Sequence, residues 1–371
     1  MTHSKHISFI SSLNPLDKPG GAELQTYNWM MKFKENNYKI SQIIEKTNKN
    51  NKDGDVNTFY IKDRTIFNFV SCIQLFIVLI RIKPDICYQR LKNEFSFVIG
   101  LYCKIFKKKY VWWCSSDASA KKNSYYIHAI ERKYLKNNFK HFIARIDAKI
   151  VSYISDYGTL LADVTICQNN YQKELLLKRK YKNVNLIKNS VNLSVFPKVP
   201  KKAIQVIFVG NLRPVKQPEI FLDLVDSLKN TEIKFIMIGK SYDNKSLLNR
   251  IQNMSNLIYY DQIGHDEVLN HIASSKILVN TSIHEGFSNV FIESWILGTK
   301  VLSLNSNPDK LLQAPLGSKS KNISDMKRYI LNNIYLDKSQ EIEEIINFAV
   351  VNFDLDINYN SLRQSVGIFN D

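Results

Sequence analysis

Short apolar segments alternate with longer helical patterns along almost the whole chain of 371 residues. Such alternation is typical of repeated strand and crossover-helix units, and it therefore predicts parallel sheets of the α/β class. In the first half, the predicted strands are residues 6–12, 38–44, 86–89, 110–114 and 164–168. In the second half, they are residues 205–209, 234–238, 257–260, 276–280 and 300–304. We expect two Rossmann-like, doubly wound domains.

A polar segment marks a boundary between these domains. Residues 197–202 (PKVPKK) combine two prolines with three lysines, which is the composition of a stiff, solvated linker. We therefore expect domains at residues 1–198 and 203–354, with residues 355–371 completing the first. Because doubly wound sheets bind ligands at the carboxyl ends of their strands, we expect these ends of the two domains to face a shared cleft.

The charge of the chain is unusual, whereas its other composition is ordinary. Apolar residues make up 44% and charged residues 23%, which excludes a disordered, collagen-like or many-spanning membrane chain. The net charge of +17 predicts a polyanionic partner such as nucleic acid or anionic lipid. The excess belongs to one half, because residues 1–200 contain 33 basic and 15 acidic side chains, while residues 201–371 contain 18 and 19.

Cysteine usage and the N-terminus favour a reducing, cytoplasmic location. Five cysteines without a C-x-x-C pair indicate neither a disulfide framework nor a zinc site. Residues 1–15 lack the basic and apolar regions of a secretory signal. The longest apolar stretch, residues 66–80, is too short to cross a bilayer and is predicted to be a buried helix.

A basic amphipathic pattern covers residues 127–145 (IHAIERKYLKNNFKHFIAR). It fits a helix lying on an anionic membrane surface, and it also fits an ordinary surface helix whose apolar stripe packs on the sheet. Further lysines within residues 104–109 and 173–182 make a basic patch on the first domain an expectation.

The segment VGNLRPVKQP, residues 209–218, follows a predicted strand and precedes a helical pattern. Gly210 can adopt backbone angles that are closed to other residues, and Arg213 and Lys216 lie where the helix begins. Cationic side chains and helix amides there could converge on a phosphate. A surface turn with two solvated cations is the alternative.

A second strand-to-helix junction, TSIHEGFSNVFIESWILG at residues 281–298, carries two glutamates. A turn at Ser288 and Asn289 would open a helix from Val290 and leave backbone N–H groups at its positive end, which suits a diphosphate. Glu285 precedes this helix and Glu293 lies in its first turns, where both can accept hydrogen bonds from sugar and ribose hydroxyls. Taken singly, each glutamate also fits a solvated or helix-capping role.

Several segments together resemble the retaining glycosyltransferases of family 4, which have the GT-B fold. Glu285 and Glu293 have seven residues between them and lie in EGFSNVFIESWILGTKV, which is similar to the family's signature segment. The segments GGAE (20–23), IKNSVNLSVF (187–196) and VGNLRPVK (209–216) are similar to its glycine loop, hinge-side strand and phosphate loop. Their order and spacing over residues 20–300 resemble the family as well.

The resemblance implies roles for particular residues. Lys216 would contact the donor diphosphate and Glu285 the transferred sugar, and these two are the predicted catalytic residues. Glu293 would hold the donor ribose. The remaining residues implied to bind the donor are Gly20, Gly21, Gly210, Ser288, Asn289 and Val290.

The sequence departs from the family at two positions of the predicted site. Asn211 stands where the family has an arginine, and we expect Arg213 to supply the cation instead. Cys114 stands where the family often has a histidine. Ser115 or Asp117 could then contact the sugar or the acceptor, and a structural role is the alternative for both.

The implied activity is transfer of a hexosyl group from a nucleotide-diphosphate sugar to a saccharide or lipid-linked acceptor, with net retention of configuration. A bacterial surface-polysaccharide pathway is the expected setting. No cofactor or metal is expected, since neither D-x-D pair, Asp53–Asp55 or Asp354–Asp356, follows a buried strand at the predicted site. The alternatives are a nucleotide-sugar epimerase of the same architecture, a non-catalytic sugar-nucleotide-binding protein, and a nucleic-acid-binding protein. The last lacks any RNP, KH, zinc-finger or basic-zipper signature, so we expect no nucleic-acid partner.

Overall fold

A computed structural model describes residues 4–11, 21–45, 56–63, 67–127, 139–241, 244–283, 287–336 and 338–367, except for the side chains of residues 139–141. They form two compact units. The first extends to Asn189 and includes the described residues from Asn358 onward, and the second is Ser190–Ile357. Each unit contains one sheet whose described strand pairs are all parallel.

The sheet of the first unit has the strand order β3-β2-β1-β4-β5-β6-β7. Its strands are β1 (His6–Ser11), β2 (Lys39–Glu45), β3 (Asn57–Ile61), β4 (Ile86–Gln89), β5 (Lys109–Trp113), β6 (Val164–Cys167) and β7 (Val184–Leu186). Its helices are α1 (Gly21–Glu35), α2 (Phe69–Ile82), α3 (Phe95–Ile105), α4 (Asp117–Ala120), α5 (Phe139–Leu160) and α6 (Asn170–Lys178). Every residue of β1 is buried, as a central parallel strand with both faces covered requires. The strand order reverses between β1 and β4, and ligands bind at such points in doubly wound sheets.

The sheet of the second unit has the order β10-β9-β8-β11-β12-β13, which reverses between β8 and β11. Its strands are β8 (Gln205–Val209), β9 (Lys234–Ile238), β10 (Leu257–Tyr260), β11 (Ile277–Asn280), β12 (Lys300–Ser303) and β13 (Gly317–Lys319). Its helices are α7 (Pro218–Ser227), α8 (Lys245–Gln252), α9 (His265–Ser274), α10 (Asn289–Ile296), α11 (Ile323–Asn333) and α12 (Ser339–Phe353). Two apolar clusters, one including Phe291 and Trp295 and the other Phe221 and Phe235, contribute to its core.

The last helix, α13 (Leu355–Ser365), begins in the second unit and ends in the first. In the first unit, the ring of Tyr359 meets Phe33 of α1 edge-on, with the ring centroids 5.4 Å apart. Both side chains are buried, so the end of the chain contributes to the core of the first unit.

The predicted strands are all present, and the prediction of two doubly wound Rossmann-like units is confirmed. The sequence analysis missed β3, β7 and β13. All three lie at sheet edges, where few positions are buried and the apolar pattern is correspondingly weak.

One prediction of burial is wrong. Residues 66–80 contribute to a helix, α2, but that helix is not buried, because Phe69 is 71% and Ile73 is 60% exposed. The sequence of α2 is apolar on all sides of the helix, so it does not show which side packs on the sheet. In the structure, that side is the one with Leu75 and Leu79.

The predicted linker ends in Lys202, a half-buried hydrogen-bond donor. Lys202 Nζ donates to the carbonyl oxygens of Ala273, Ser275 and Leu297 at 2.9, 3.0 and 2.8 Å, and to Thr299 Oγ1 at 2.8 Å. These acceptors lie just at or beyond the ends of α9 and α10, where carbonyl groups lack partners within the helix. Lys202 therefore joins two helix ends of the second unit.

Candidate active site

The loops after β8 and β11 meet at the point where the strand order of the second sheet reverses. Thr281 Oγ1 donates to the carbonyl oxygens of Lys216 and Gln217 at 2.7 and 3.0 Å. The amide of Ile283 donates to the carbonyl oxygen of Val215 at 2.9 Å. These bonds fix the predicted phosphate loop against the segment that leads to α10.

Within this loop, Gly210 lies beneath the side chain of Lys216. A Cβ atom on Gly210 would lie 3.7 Å from Lys216 Cδ and Cε, which is ordinary van der Waals contact. The amide of Lys216 donates to the Arg213 carbonyl at 2.8 Å, in a short turn of 3₁₀ helix at Pro214–Lys216. Lys216 is half-buried and Arg213 is exposed, so the loop presents two cations at the sheet edge.

Gly239, which follows β9 and supports this loop, was not among the predicted site residues. Its φ of +155° is favourable only for glycine, and a Cβ there would lie 2.0 Å from the Gly210 carbonyl oxygen. The amide of Gly210 donates to the Ile238 carbonyl at 2.9 Å. The signal was available, because a glycine directly after a strand indicates close backbone approach.

The helix α10 begins at Asn289, one residue before the predicted Val290, after an extended Ser288. The first N–H groups of a helix have no acceptor within it, and the helix dipole adds positive potential there. Phe291 and Trp295, both buried, anchor the helix in the core. The amides of Asn289 and Val290 therefore lie at the positive end of a rigidly held helix.

Glu293 is only 6% exposed and lies on the first turns of α10. Its Oε1 atom is 3.1 Å from Nε2 of His265, the first residue of α9. The hydrogen bond to Glu293 raises the pKa of His265. His265 was not among the predicted site residues, because no local sequence pattern connects it with Glu293, 28 residues away.

Two predicted site residues lie outside the described residues. They are Gly20, before α1, and Glu285, between Ile283 and Phe287. Their predicted contacts with the donor and the transferred sugar stay predictions. Gly21 is described and begins α1, directly after the loop that follows β1.

Ser115 and Asp117 follow β5 at the carboxyl edge of the first sheet, and both are half-buried. Asp117 Oδ1 accepts hydrogen bonds from Asn169 Nδ2 and Gln172 Nε2, each at 2.9 Å. These contacts join α4 to the start of α6, so Asp117 has the structural role that was the alternative to contact with a sugar or an acceptor. Contact of either residue with a sugar or an acceptor stays a prediction.

Arg90 also lies at the carboxyl edge of the first sheet, and the sequence analysis missed it. Its Nη2 donates to Asn189 Oδ1 at 2.5 Å, and its guanidinium lies 4.8 Å from the ring centroid of Trp113. Burial lowers the pKa of Arg90. Because Asn189 is the last residue of the continuous part of the first unit, Arg90 fastens that end of the unit to β4. A lone arginine after a strand carries no sequence signal for this role.

Of the two D-x-D pairs, only Asp354–Asp356 lies within the described residues. Asp53–Asp55 lies outside the described residues. Asp354 Oδ1 accepts from the amide of Ile357 at 2.9 Å and so caps the start of α13. Across the described part of the chain, no three His, Cys, Asp or Glu side chains are grouped in a way that could hold a metal ion.

Comparison with known proteins gives a family match over the second unit. Residues 192–309 match the family model described as "Glycosyl transferases group 1". This segment contains Gly210, Arg213, Lys216 and the start of α10. The match confirms the resemblance to glycosyltransferases noted from the sequence.

One curated relative is an uncharacterized glycosyltransferase of Methanocaldococcus jannaschii. It is 26% identical over 179 residues, which are 48% of this chain and 47% of the relative. The chain thus spans about half the length of the curated relative that it matches.

Two solved structures cover nearly the whole chain. HepE of Anabaena, solved in complex with UDP and glucose, has a TM-score of 0.70 and 13% identity, covering 98% of this chain and 100% of that one. A structure of Listeria monocytogenes, described as a putative UDP-N-acetylglucosamine 2-epimerase, has a TM-score of 0.62 and 12% identity, covering 99% and 97%. At these identities the likeness concerns the fold, which is the GT-B architecture.

Proposed function

We propose that this chain is a group 1 glycosyltransferase that moves a hexosyl group from a nucleotide-diphosphate sugar to a saccharide or lipid-linked acceptor. The observation that carries the proposal is the fastening of the loop after β8 to the segment before α10, through Thr281 and Ile283. It joins two cations, a helix N-terminus and a buried carboxylate at one sheet edge. This combination matches the phosphates and the ribose of a nucleotide sugar.

Each part of the donor would have its own contact. The amides of Asn289 and Val290 and the ammonium of Lys216 would bind the diphosphate, with Arg213 in place of the usual arginine at position 211. The Glu293 carboxylate would accept hydrogen bonds from the ribose hydroxyls. Glu285 would contact the transferred sugar.

The reaction would proceed with net retention and without a protein nucleophile. The bond between the anomeric carbon and the diphosphate oxygen breaks, and the acceptor hydroxyl bonds to that carbon on the same face. The hydroxyl proton passes to the departing phosphate oxygen. The protein orients the two substrates and stabilises the negative charge of the leaving group, chiefly through Lys216.

The donor and the pathway are also proposals. A solved structure of the same fold holds UDP and glucose, so UDP-hexoses are the first donors to test. We place the enzyme in the cytoplasm, in bacterial surface-polysaccharide synthesis, with the first unit binding the acceptor. In the described parts of the chain, every helix is too short or too polar to cross a bilayer.

Proton and phosphorus NMR of the reaction mixture would test this function. The purified protein is incubated with a panel of nucleotide-diphosphate sugars, with and without saccharide acceptors. We expect release of the nucleoside diphosphate together with a sugar product of the donor's anomeric configuration. A product of inverted configuration would contradict the retaining mechanism, and an unreacted panel would contradict the function.

The same spectra separate the transferase from its closest alternative. The fold alone does not, because a putative nucleotide-sugar epimerase shares it. An epimerase would change the sugar of the donor or release it without needing an acceptor. Acceptor-dependent formation of a new glycosidic signal would therefore identify the transferase.

A further inference from the structure

Three helices of the first unit, α2, α3 and α5, pack side by side in one layer, with α3 in the middle. The ring of Phe76 on α2 packs against Tyr102 and Phe106, with centroids 6.3 and 6.5 Å away. Helices α3 and α5 touch through their backbones, because a Cβ on Gly158 would lie 2.2 Å from the amide nitrogen of Phe97. The outer sides of the three helices are therefore neighbouring parts of one surface.

The outer side of α5 is a continuous apolar stripe. Its exposed apolar residues follow each other at intervals of three or four, the spacing of one helix face, and Tyr153 is 73% exposed. They are Phe142, Ile146, Ile150, Tyr153, Tyr157 and Leu160. The helix has 22 residues, so the stripe extends for roughly 30 Å.

The neighbouring helices continue this apolar surface. On α2 the exposed apolar residues are Phe69, Val70, Ile73, Ile77 and Ile80. On and just after α3 they are Leu101, Ile105 and Phe106. Soluble monomers rarely leave so many neighbouring apolar side chains in water, so a surface of this kind indicates a binding partner.

Exposed cations border the apolar surface. They are Arg81, Lys83, Lys104, Lys107, Lys109, Arg145 and Lys149. Of the nearby acidic groups, Asp85 is neutralised by its ion pair with Lys108 at 2.8 Å, whereas Asp163 accepts from the Tyr110 amide at 2.9 Å and keeps its charge, so the seven cations outnumber the carboxylates. The border is therefore strongly positive.

A cavity of about 270 Å³ extends this border. Lys104, Lys109 and Lys182 line it together with Asp163 and with Leu160, the last residue of the apolar stripe. Lys104 and Leu160 thus belong to both the cavity and the layer. Three ammonium groups against one carboxylate leave the cavity net positive, which suits an anionic headgroup beside the apolar surface.

The positive charge of the border favours an anionic bilayer over a second copy of this chain as the partner of the apolar surface. Two copies of this chain related by a twofold axis would bring the same basic border against itself, which like-charge repulsion opposes. A bilayer with anionic lipids offers apolar depth to the stripe, negative charge to the border and an interface for exposed tyrosines.

We propose that the outer face of α2, α3 and α5 docks on an anionic lipid bilayer, with the helices lying in the plane of the interface. This surface shares Phe142 and Arg145 with the segment anticipated at residues 127–145 and otherwise lies on α2, α3 and the rest of α5; residues 128–138 lie outside the described residues. The proposal does not depend on the transferase activity, although it would bring the enzyme to a lipid-linked acceptor.

Vesicle flotation would test the docking surface. The full chain is mixed with vesicles of phosphatidylcholine alone, or of phosphatidylcholine with 40% phosphatidylglycerol as a rough composition for a bacterial inner leaflet. We expect flotation with the anionic vesicles that falls as salt is raised and is lost with the neutral ones. Equal binding to both vesicles, or binding to neither, would overturn the proposal.

Two sets of variants separate the apolar and the basic contributions. Ile73→Gln with Tyr153→Gln should reduce flotation at least about fivefold, because both side chains are highly exposed and would lie in the bilayer interface. Lys104→Gln with Arg145→Gln should reduce flotation and its salt dependence together. The control is Val351→Gln, an equally exposed apolar residue of the second unit, at 64%, which should float like the wild type.

Two further measurements distinguish membrane docking from dimerisation and from a loss of donor binding. Analytical ultracentrifugation would detect a dimer, and loss of that dimer in Ile73→Gln with Tyr153→Gln would overturn the proposal in favour of a second copy as the occupant. Nucleotide-sugar binding by the same variants should match the wild type. Failed flotation with intact donor binding would therefore reject the docking surface and leave the transferase function standing.

Discussion

The two units share a parallel α/β design and differ in what their helices present to water. In the second unit, α7 buries Phe221 and Val225 and presents Asp223 and Asp226, which both pair with Arg250 of α8, at 2.7 and 2.6 Å. In the first unit, α2 and α5 present phenylalanine, isoleucine and tyrosine. The same topology thus supports an ordinary solvated surface in one unit and an apolar, basic one in the other.

The two halves of the chain also differ in charge, and the two charges suit different roles. The second half of the chain is nearly neutral, with 18 basic and 19 acidic residues, so a few placed cations suffice for a diphosphate. The first half has 33 basic and 15 acidic residues, far more than one substrate could need. The charge distribution thus fits both proposals, the reaction at loops of the second unit and membrane attachment through helices of the first.

The largest expected effect is on turnover, through Lys216. Lys216→Ala should lower kcat by about 10²–10³, because the ammonium opposes charge that develops on the leaving diphosphate. Steady-state rates with the true donor would measure this. Lys104→Ala, an exposed lysine of the basic first unit, is the matched control and should leave turnover of soluble substrates unchanged. A Lys216→Ala enzyme within about threefold of wild type would contradict the assigned role.

The next effect is on stability at the edge of the second sheet. Gly239→Ala should destabilise the protein by about 3 kcal/mol, since the new Cβ would overlap the Gly210 carbonyl at a backbone angle reserved for glycine. Urea unfolding would measure the loss. Gly210→Ala is the control and should cost less than about 1 kcal/mol, because its Cβ would meet the Lys216 side chain and the Phe208 ring only at ordinary van der Waals distances of 3.7 and 3.9 Å. Equal losses in the two variants would refute this account of the loop.

A smaller loss of stability is expected at Lys202. Lys202→Met should cost about 2 kcal/mol, because the carbonyls of Ala273, Ser275 and Leu297 would lose a shared donor. Thermal and urea unfolding would measure it. Lys201→Met removes an exposed lysine next to it and should be nearly neutral. If both variants unfolded like the wild type, Lys202 would not join the ends of α9 and α10.

The smallest expected effect is a pH dependence at His265. Its pKa should lie above 6.5 and should fall in Glu293→Gln, because the carboxylate that favours the charged ring is gone. The stability from this pair is fully present below pH 6.5 and is lost as the pH rises through the raised pKa. NMR titration of the His265 ring would measure the pKa. If the pKa of His265 were the same in Glu293→Gln as in the wild type, Glu293 would not be the cause of the raised pKa.

The sequence predicted the strands well because buried parallel strands are continuous apolar runs. It predicted the turn after β8, and the start of α10 to within one residue, because glycines, prolines and helix-start residues are local signals. Phosphate binding by this turn stays a prediction. The pairing of His265 with Glu293 depends on a contact between distant segments, which no local pattern records. The glycine after β9 was a local signal of close backbone approach, but the sequence does not show that Gly239 approaches Gly210. The exposure of α2 was mispredicted because a helix that is apolar all round does not show which side meets the sheet.

Calorimetric titration with nucleoside diphosphates tests the central claim most directly, since it asks whether the edge between β8 and β11 binds a donor. The panel is UDP, GDP, ADP, CDP and dTDP, titrated into the wild type, Glu293→Gln and the matched variant Glu343→Gln, which changes an exposed glutamate of α12. We predict that at least one nucleotide binds the wild type and Glu343→Gln equally and binds Glu293→Gln at least about tenfold more weakly, as loss of a charged hydrogen bond implies. Binding by none of the five, or equal binding by all three proteins, would contradict the account.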